Sequence, residues 1–488
     1  MRYIGLVATA SLCGCISAGP DYESPEVTGV QDAFVAAEEA VFVEEPADAA
    51  WWLAFDDPGM ARVVTIARGQ NLDVAEALAR VEAADARLRV ARRALLPQGS
   101  VTGSIQRQEQ AAAAFAAFPG AQGADGGEDG GPDGPDAPQG PQGPQGPIDI
   151  YTVTADLSWE IDLFGRIRSQ ARQQRATADA QAALAADTLR LVTARAADAY
   201  LAYLEAAARA DVAARNLESQ ERALALTQAL FDMGEAAEFD LARQRTVTLT
   251  TTAQLAQLRG ARAQAASALA LLCGETVPGL AEAVPSLAAA AALPAPPEAL
   301  ALSDPAEVLR RRPDVAQAER QLAAATYGIG VQTAQLFPQV SLTASPSLTA
   351  LDFGGLTEDD AFGYSYGPRL SWPLFSYPQL LAQVDAADAE AEAALFAYQR
   401  TVLAALTETD EALVVYARAL DQARALEAAQ AASSRALELA DIRYREGEDS
   451  LLSFLDSQRT ALQTEDQFVT ARAGALRARV AVHRALAN

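Results

Sequence analysis

Few side chains in this sequence could do covalent or metal chemistry: one His, at 483, and three Cys, at 13, 15 and 273. A lone imidazole cannot build a His-rich metal centre. Three scattered thiols supply neither a disulfide framework nor a four-Cys zinc site. No nucleophile–base pair, phosphate loop or metal-spaced cluster stands out, so no catalytic activity and no cofactor are expected. His483 reads as a surface residue near the C-terminus. Cys273, just after a helical stretch, reads as an inert small hydrophobe.

Cys15 is the exception. It closes Leu12-Cys13-Gly14-Cys15, behind Arg2 and the short apolar run Tyr3 to Leu12. That run is far below the ~18 residues that cross a bilayer as a helix. The pattern is that of a lipobox, in which the Cys after Leu-x-Gly is acylated and becomes the mature N-terminus. Residues 1–14 are then a signal peptide and 15–49 a lipid-anchored extended segment. An unmodified Cys behind an ordinary signal peptide is the plainer alternative. Acylation adds ~0.8 kcal/mol of membrane affinity per buried CH₂.

The charge balance narrows the partners. The chain has 488 residues, with 38 bases against 64 acids and a net charge of −26, and every base is Arg. Such a chain repels phosphate backbones, so no nucleic-acid partner is expected. Half the residues are apolar but only 6% are aromatic. With its abundant Ala, this is the composition of long packed helices.

The chain is written twice. Leu95-Leu96-Pro97-Gln98 returns as Leu336-Phe337-Pro338-Gln339, 241 positions on. Leu157-Ser158-Trp159 returns as Leu370-Ser371-Trp372, 213 positions on, and Gln244-Arg245-Thr246 as Gln458-Arg459-Thr460, 214 positions on. The missing 28 positions fall in 111–147, a stretch that ends in the collagen-like run Gly140 to Pro147. That run has too few triplets for a triple helix, and a flexible loop over about 109–149 is expected. One repeat spans 50–275 and the other 303–488, with a linker at 276–302.

Each repeat reads as helix, strand, loop, strand, long helix, turn, helix. Val340, Leu342, Ala344, Pro346 and Leu348 alternate with Ser341, Thr343, Ser345, Ser347 and Thr349. Phe362 to Trp372 and Tyr151 to Glu160 alternate likewise, and Val101 to Gln108 more weakly. Period two over about ten residues, with a small hydroxylic second face, is the pattern of a membrane strand beside a wet lumen. Alternation alone also fits the edge of a soluble sandwich. Arg166 to Met233 and Leu380 to Glu446 carry no Pro or Gly, and each is about 100 Å long if unbroken. Leu217, Leu224 and Phe231 recur at sevens, as do Leu406, Leu413 and Leu420, marking coiled-coil seams. Glu238 to Leu272 and Leu451 to Leu486 follow as the second arms of two helical hairpins.

Four strands cannot close a barrel in lipid, where open edges leave unpaired backbone. Two copies would give about eight strands and three about twelve. The small residues facing the lumen favour the wider ring.

These features resemble the TolC-like outer membrane factors, in particular the lipoprotein branch called NodT-like or OprM-like. The carriers are Gly19-Pro20-Asp21-Tyr22 with Pro25, and Trp51-Trp52 with Phe55 and Asp57. Further on are Trp159-Glu160-Ile161-Asp162-Leu163-Phe164-Gly165-Arg166, Arg310-Arg311-Arg312-Pro313-Asp314-Val315, Leu336-Phe337-Pro338 and Trp372-Pro373-Leu374-Phe375. They span nearly the whole mature chain. The resemblance implies a homotrimer, mainly α with membrane β. A 12-stranded barrel in outer-membrane lipid would continue into a periplasmic tunnel of 12 helices. It also implies the non-enzymatic outlet of a tripartite efflux system, fed by a periplasmic adaptor protein and an inner-membrane, proton-driven RND-type transporter. The cargo would be drugs or other small solutes. Within the same family, an outlet for type I polypeptide secretion is the alternative; a coiled-coil lipoprotein scaffold is a third reading, which the strands oppose.

The resemblance assigns residue roles. The turns at Met233, Gly234 and Glu235 and at Gly447, Glu448 and Asp449 would face the periplasmic end and meet the adaptor. Asp240 and Asp456 match acidic positions ringing the constriction, where they would favour cations. Tyr444 matches a Tyr of the closing network. Asp449 stands where well-known relatives carry a base, so Arg443, Arg445 and Arg243 are candidates for the cationic side of the gate. The same charges also fit solvated helix caps. Trp159, Trp372 and Phe375 would be membrane-interface anchors. Arg310 to Pro313 reads as structural.

Overall fold

The computed structural model describes residues 18–25, 33–34, 42–44, 50–109, 147–287, 292–295, 300–302 and 304–487; Cys15 and residues 110–146 lie outside them. The first half contains β1 (Phe42–Glu44), α1 (Pro58–Gln70), α2 (Leu72–Arg93), β2 (Gln98–Gln108), β3 (Ile148–Ile161), α3 (Arg166–Asp232) and α4 (Glu238–Leu272). After α5 (Val277–Ala283) and β4 (Leu300–Leu302) the pattern returns. It runs through α6 (Pro305–Arg311), α7 (Pro313–Ala334), β5 (Gln339–Ala350), β6 (Phe362–Ser371), α8 (Tyr377–Arg445) and α9 (Leu451–Ala485). No helix among the described residues is long and apolar enough to cross a membrane.

The chain divides into two compact units, each drawing on both halves of the repeat. One holds residues up to Asp21, Leu88–Arg172 and Tyr327–Asp388; the other holds Tyr22–Arg87, Gln173–Thr326 and Ala389–Asn488.

The first unit is built on an antiparallel sheet in the order β2-β3-β5-β6. Its register puts the apolar positions of all four strands on one face. Val153 stands between Gly103 and Leu348, and Leu348 in turn faces Phe362. Trp159 faces Leu342, which faces Pro368. The other face is Ser, Thr, Gln and a few charges, and there Ser345 donates to Asp156 at 2.8 Å. The apolar face is open: Val101, Ile105, Phe362, Tyr364, Tyr366 and Leu370 are all largely exposed. Aromatics gather at both of its ends. Phe362, Tyr364 and Tyr366 form a ladder at 6.0 and 6.2 Å, and Trp159 and Trp372 stand at the other end.

Backbone chemistry sets where strand gives way to helix. Gly165, at φ 81°, precedes α3, a region that L side chains avoid. Phe164 beside it stacks on Phe337 at 4.7 Å. The Gly-Pro-Asp-Tyr segment crosses this junction: Ala18 donates to the Phe164 carbonyl at 3.1 Å, and Asp21 pairs with Arg172 at 3.0 Å. A Cβ on Gly19 would sit 2.1 Å from the Gly330 Cα, so only glycine passes there.

The second unit holds the apolar core. Trp51, Phe55, Met60, Tyr200, Leu204 and Leu476 are fully or almost fully buried in one cluster. Asp57 fixes its entry by capping α1 at Gly59 (2.7 Å) and Met60 (3.0 Å) while accepting from the Tyr200 hydroxyl at 2.9 Å. Leu413 and Leu420 are buried in a second cluster with Leu406 packed against it, as the heptad spacing predicts. On the other seam Leu217 and Leu224 are half-buried and Phe231 is exposed. Ion pairs join α3 to α9: Arg209–Asp466, Arg215–Glu465 and Arg477–Asp198, each at 2.8 Å.

His483 departs from its expected surface position. It is buried and stacks on Trp51 at 4.8 Å, with rings 10° from parallel. Burial, reinforced by the nearby Arg479 charge, pushes its pKa down to about 3. The last turns of α9 pack into the core, so their polar residues are enclosed with them. Cys273 is buried as expected, and burial lifts its thiol to about 11. Arg312, also buried, binds Asp314 at 2.7 Å, Glu408 at 2.8 Å and the Ala485 carbonyl at 2.9 Å. Its role is structural, as read from the sequence.

Candidate functional site

The residues that the sequence assigns to the tips and the constriction lie at or near the two hairpin turns of the second unit. Each turn is closed by a glycine in the left-handed region. At the first, Gly234 has φ 79°, and the Glu235 amide donates to the Leu230 carbonyl at 2.9 Å. At the second, Gly447 has φ 77°, and the Glu448 amide donates to the Arg443 carbonyl at 2.9 Å. A Cβ would find open space at either glycine, so handedness rather than crowding demands glycine.

Charge at the helix ends follows the dipole. Glu238 and Asp240 lie in the first turn of α4, and Arg443 and Arg445 in the last turn of α8. Ser450 caps α9 by accepting from the Ser453 amide at 3.2 Å. Asp449 braces the cap. It accepts from the Ser450 amide at 2.8 Å and the Ser453 hydroxyl at 3.1 Å, and faces Arg443 at 3.9 Å. Arg445 pairs with Asp441 at 2.7 Å, and Asp456 with Arg459 at 2.8 Å. Each of these arginines thus has an acidic partner in its own chain.

Asp240 and Asp456 line one cleft of about 440 Å³ between the hairpins, along with Glu235, Arg243, Gln244 and Arg459. Two buried glutamines anchor its floor: Gln244 donates to the Gln220 carbonyl at 3.3 Å, and Gln458 to the Ser219 hydroxyl. Tyr444 stacks on Phe454 at 5.6 Å, fastening the end of α8 to the start of α9. Met233 projects into solvent.

Sequence reading missed Phe239 and Leu452, which are 73% and 52% exposed in the first turns of α4 and α9. With Met233 they make the tips apolar as well as charged. For Phe239 the available signal was an apolar residue set between the acidic first-turn residues Glu238 and Asp240; Leu452 has no such flanks.

In the first unit, Trp159 and Trp372 are partly exposed and Phe375 fully so. Each indole has a partner: Trp159 donates to the Leu95 carbonyl and Trp372 to the Leu336 carbonyl.

Residues 63–275 and 305–488 match the outer membrane efflux protein family. Among curated relatives, the pyoverdine export outer membrane protein OpmQ of Pseudomonas putida is 32% identical, over 90% of this chain and 88% of its own. Outer membrane protein OprJ of Pseudomonas aeruginosa is 30% identical, over 96% and 91%. Nodulation protein T of Rhizobium leguminosarum bv. trifolii is 28% identical, over 95% and 92%. Among solved structures, the outer-membrane channel OprN superposes with a TM-score of 0.81 at 32% identity, over 96% of this chain and 98% of that one. The Campylobacter jejuni CmeC channel shares the fold, with a TM-score of 0.83 at 21% identity over 96% and 94%. With both repeats matched and the helix-and-sheet architecture shared, the chain belongs to the outer membrane efflux protein family.

Proposed function

We propose that this chain is the outer-membrane duct of a tripartite efflux system, working as three copies that close one twelve-stranded barrel. The reading rests chiefly on the sheet. Four strands share one exposed apolar face, and β2 and β6 each have one side without a strand partner among the described residues. Lipid accepts the face but not the edges, and pooling strands between copies resolves both. The covalent lipid on Cys15 fits the same frame. Three residues reach no farther than ~11 Å, and Ala18 is tied to Phe164 at the Trp159 end of the sheet. The acyl chains would then enter the leaflet where Trp159, Trp372 and Phe375 stand as interface anchors.

The tips are the gate and the docking end. Asp240 and Asp456 would ring a narrow passage and favour cations, with Tyr444, Arg443 and Arg445 holding the turns shut. The apolar Met233, Phe239 and Leu452 would meet a periplasmic adaptor linked to an inner-membrane transporter. The chain itself moves solutes passively and performs no catalysis. Similarity to a pyoverdine exporter at 32% identity supports small solutes as cargo.

Deleting the gene tests this. Susceptibility to several small toxic solutes should rise several-fold and return on complementation. Unchanged susceptibility with an unsecreted polypeptide retained in the cell would favour the secretion outlet instead.

A further inference from the structure

Sulfur is scarce and unevenly placed. Met60 and Cys273 are both 0% exposed in the core of the second unit, and burial lifts the Cys273 thiol to about 11, which keeps it protonated and unreactive. Met233 is 65% exposed, the only sulfur among the described residues that is open to solvent. It stands at the first hairpin turn. Its amide closes the end of α3 on the Ala229 carbonyl at 3.2 Å, and Gly234 turns the chain away directly after it.

The setting gives that thioether something to lose. Asp232, Glu235, Glu238 and Asp240 surround it in sequence, so the first tip is strongly acidic. Its exposed apolar side chains are Phe231, Met233 and Phe239. Leu452 of the second hairpin, also exposed, lines the same cleft as Glu235. A tip of this charge offers a protein partner an apolar contact through these few side chains, and Met is the most pliable of them.

We infer that Met233 is a site of reversible oxidation to the sulfoxide by a hypohalous acid, and that the change weakens docking at the tip. This rests on the docking end proposed above and adds its redox control. In the step, the thioether sulfur gives up two electrons. A sulfur–oxygen bond forms, the oxygen–halogen bond of the acid breaks, and halide and a proton leave. In the return step two thiols of a sulfoxide reductase supply two electrons and become a disulfide, and the oxygen leaves as water. The sulfoxide puts a strong dipole where an apolar chain stood, and burying it against a partner without a hydrogen bond is costly.

Two measurements test this. Full-length lipoprotein in detergent is titrated with hypochlorite and mapped by peptide mass spectrometry. Met233 should gain an oxygen at doses that leave Met60 untouched, and Met60 should follow only after denaturation. Equal oxidation of the two in the folded protein, or a resistant Met233, overturns the inference and leaves the duct reading standing. In cells, a deletion strain carries wild type, Met233→Leu or Met233→Gln, and export is followed with a solute to which the deletion sensitises it. Each strain is read against its own untreated rate after a brief hypochlorite pulse. Wild type should slow roughly ten-fold relative to the Leu variant and recover as the sulfoxide is reduced. The Gln variant, polar from the start, should be slow beforehand and slow no further. Equal loss in wild type and Leu variant overturns the inference alone. A deletion that sensitises the cell to no solute overturns the duct reading and this inference with it.

Discussion

Trp372 donates its indole N–H to the carbonyl of Leu336 at 3.2 Å, bracing the end of β6 against the turn that leads into β5. Trp159 makes the corresponding bond to Leu95 at 3.0 Å in the first repeat. A residue type that sequence reading assigns to lipid contact therefore also holds the sheet's helix-side end. Trp372→Phe keeps the apolar ring and removes the donor, and should cost about 1 kcal/mol. Thermal midpoints in detergent should drop by a few degrees for Trp372→Phe and further for Trp372→Ala. An unaltered midpoint for the Phe variant would show that the bond contributes nothing.

Gly447→Ala should loosen its tip although no atom obstructs the added methyl. A non-glycine residue at φ 77° costs about 1–2 kcal/mol. Amide hydrogen exchange should quicken in the last turn of α8 and the first of α9 and stay unchanged in the sheet. Gly103→Ala, on an edge strand, serves as the contrast.

Arg312→Ala should be more damaging. It strips Asp314 of its hydrogen-bonded base and leaves Glu408 with Arg484 at 3.0 Å; both carboxylates are partly exposed, so the loss should fall below the about 3–5 kcal/mol of a fully buried pair broken from one side. Arg312→Lys should recover part of this, since it restores charge without the two-pronged contact. Yields of folded protein and denaturation midpoints rank the three; equal stability of Arg312→Ala and wild type would contradict the assignment.

Acid should weaken the second unit in two stages. His483 is neutral in the fold, with a pKa of about 3, but binds a proton near pH 6.5 when unfolded. Between those values the unfolded chain holds the extra proton, so stability falls by at most about 1.4 kcal/mol per pH unit as pH drops. Burial alone would raise the carboxyls of Asp314 and Glu408, but hydrogen bonds from Arg312 and its charge hold both below their ordinary values. Their contribution is present above the unfolded carboxylate pKa and is lost as pH falls through the lower folded one. His483→Phe, which keeps the stack on Trp51, should flatten the slope between pH 6 and 4 and leave the steeper acid limb. A slope identical to wild type would mean that His483 does not titrate in the unfolding reaction.

Asp240→Ala combined with Asp456→Ala should raise resting conductance in planar bilayers and weaken cation preference. A channel indistinguishable from wild type on both counts would remove the two carboxylates from the gate.

The architecture was readable because its signals are periodic. Alternation of Val340 to Thr349 places every apolar side chain of β5 on one face, and the duplicated Leu-x-Pro-Gln and Leu-Ser-Trp segments fix where strands begin and end. Gly234 and Gly447 were readable because only one residue type is comfortable at those angles. The burial of His483 was not readable. In Ala-rich helices the small apolar residue suits a core and a surface alike, so the pattern around 483 does not say which face is enclosed. Ion pairs such as Arg443 with Asp449 were hidden for another reason: sequence shows which charges exist near a turn, not whether they satisfy each other at home or across a boundary.

The sides of β2 and β6 without a strand partner among the described residues also bear on inheritance. On the proposed three-copy reading, a subunit that borrows a neighbour at each flank can spoil a ring that contains only one faulty member. A cell expressing sound and broken alleles together should therefore behave much more like the mutant than the share of broken protein would suggest.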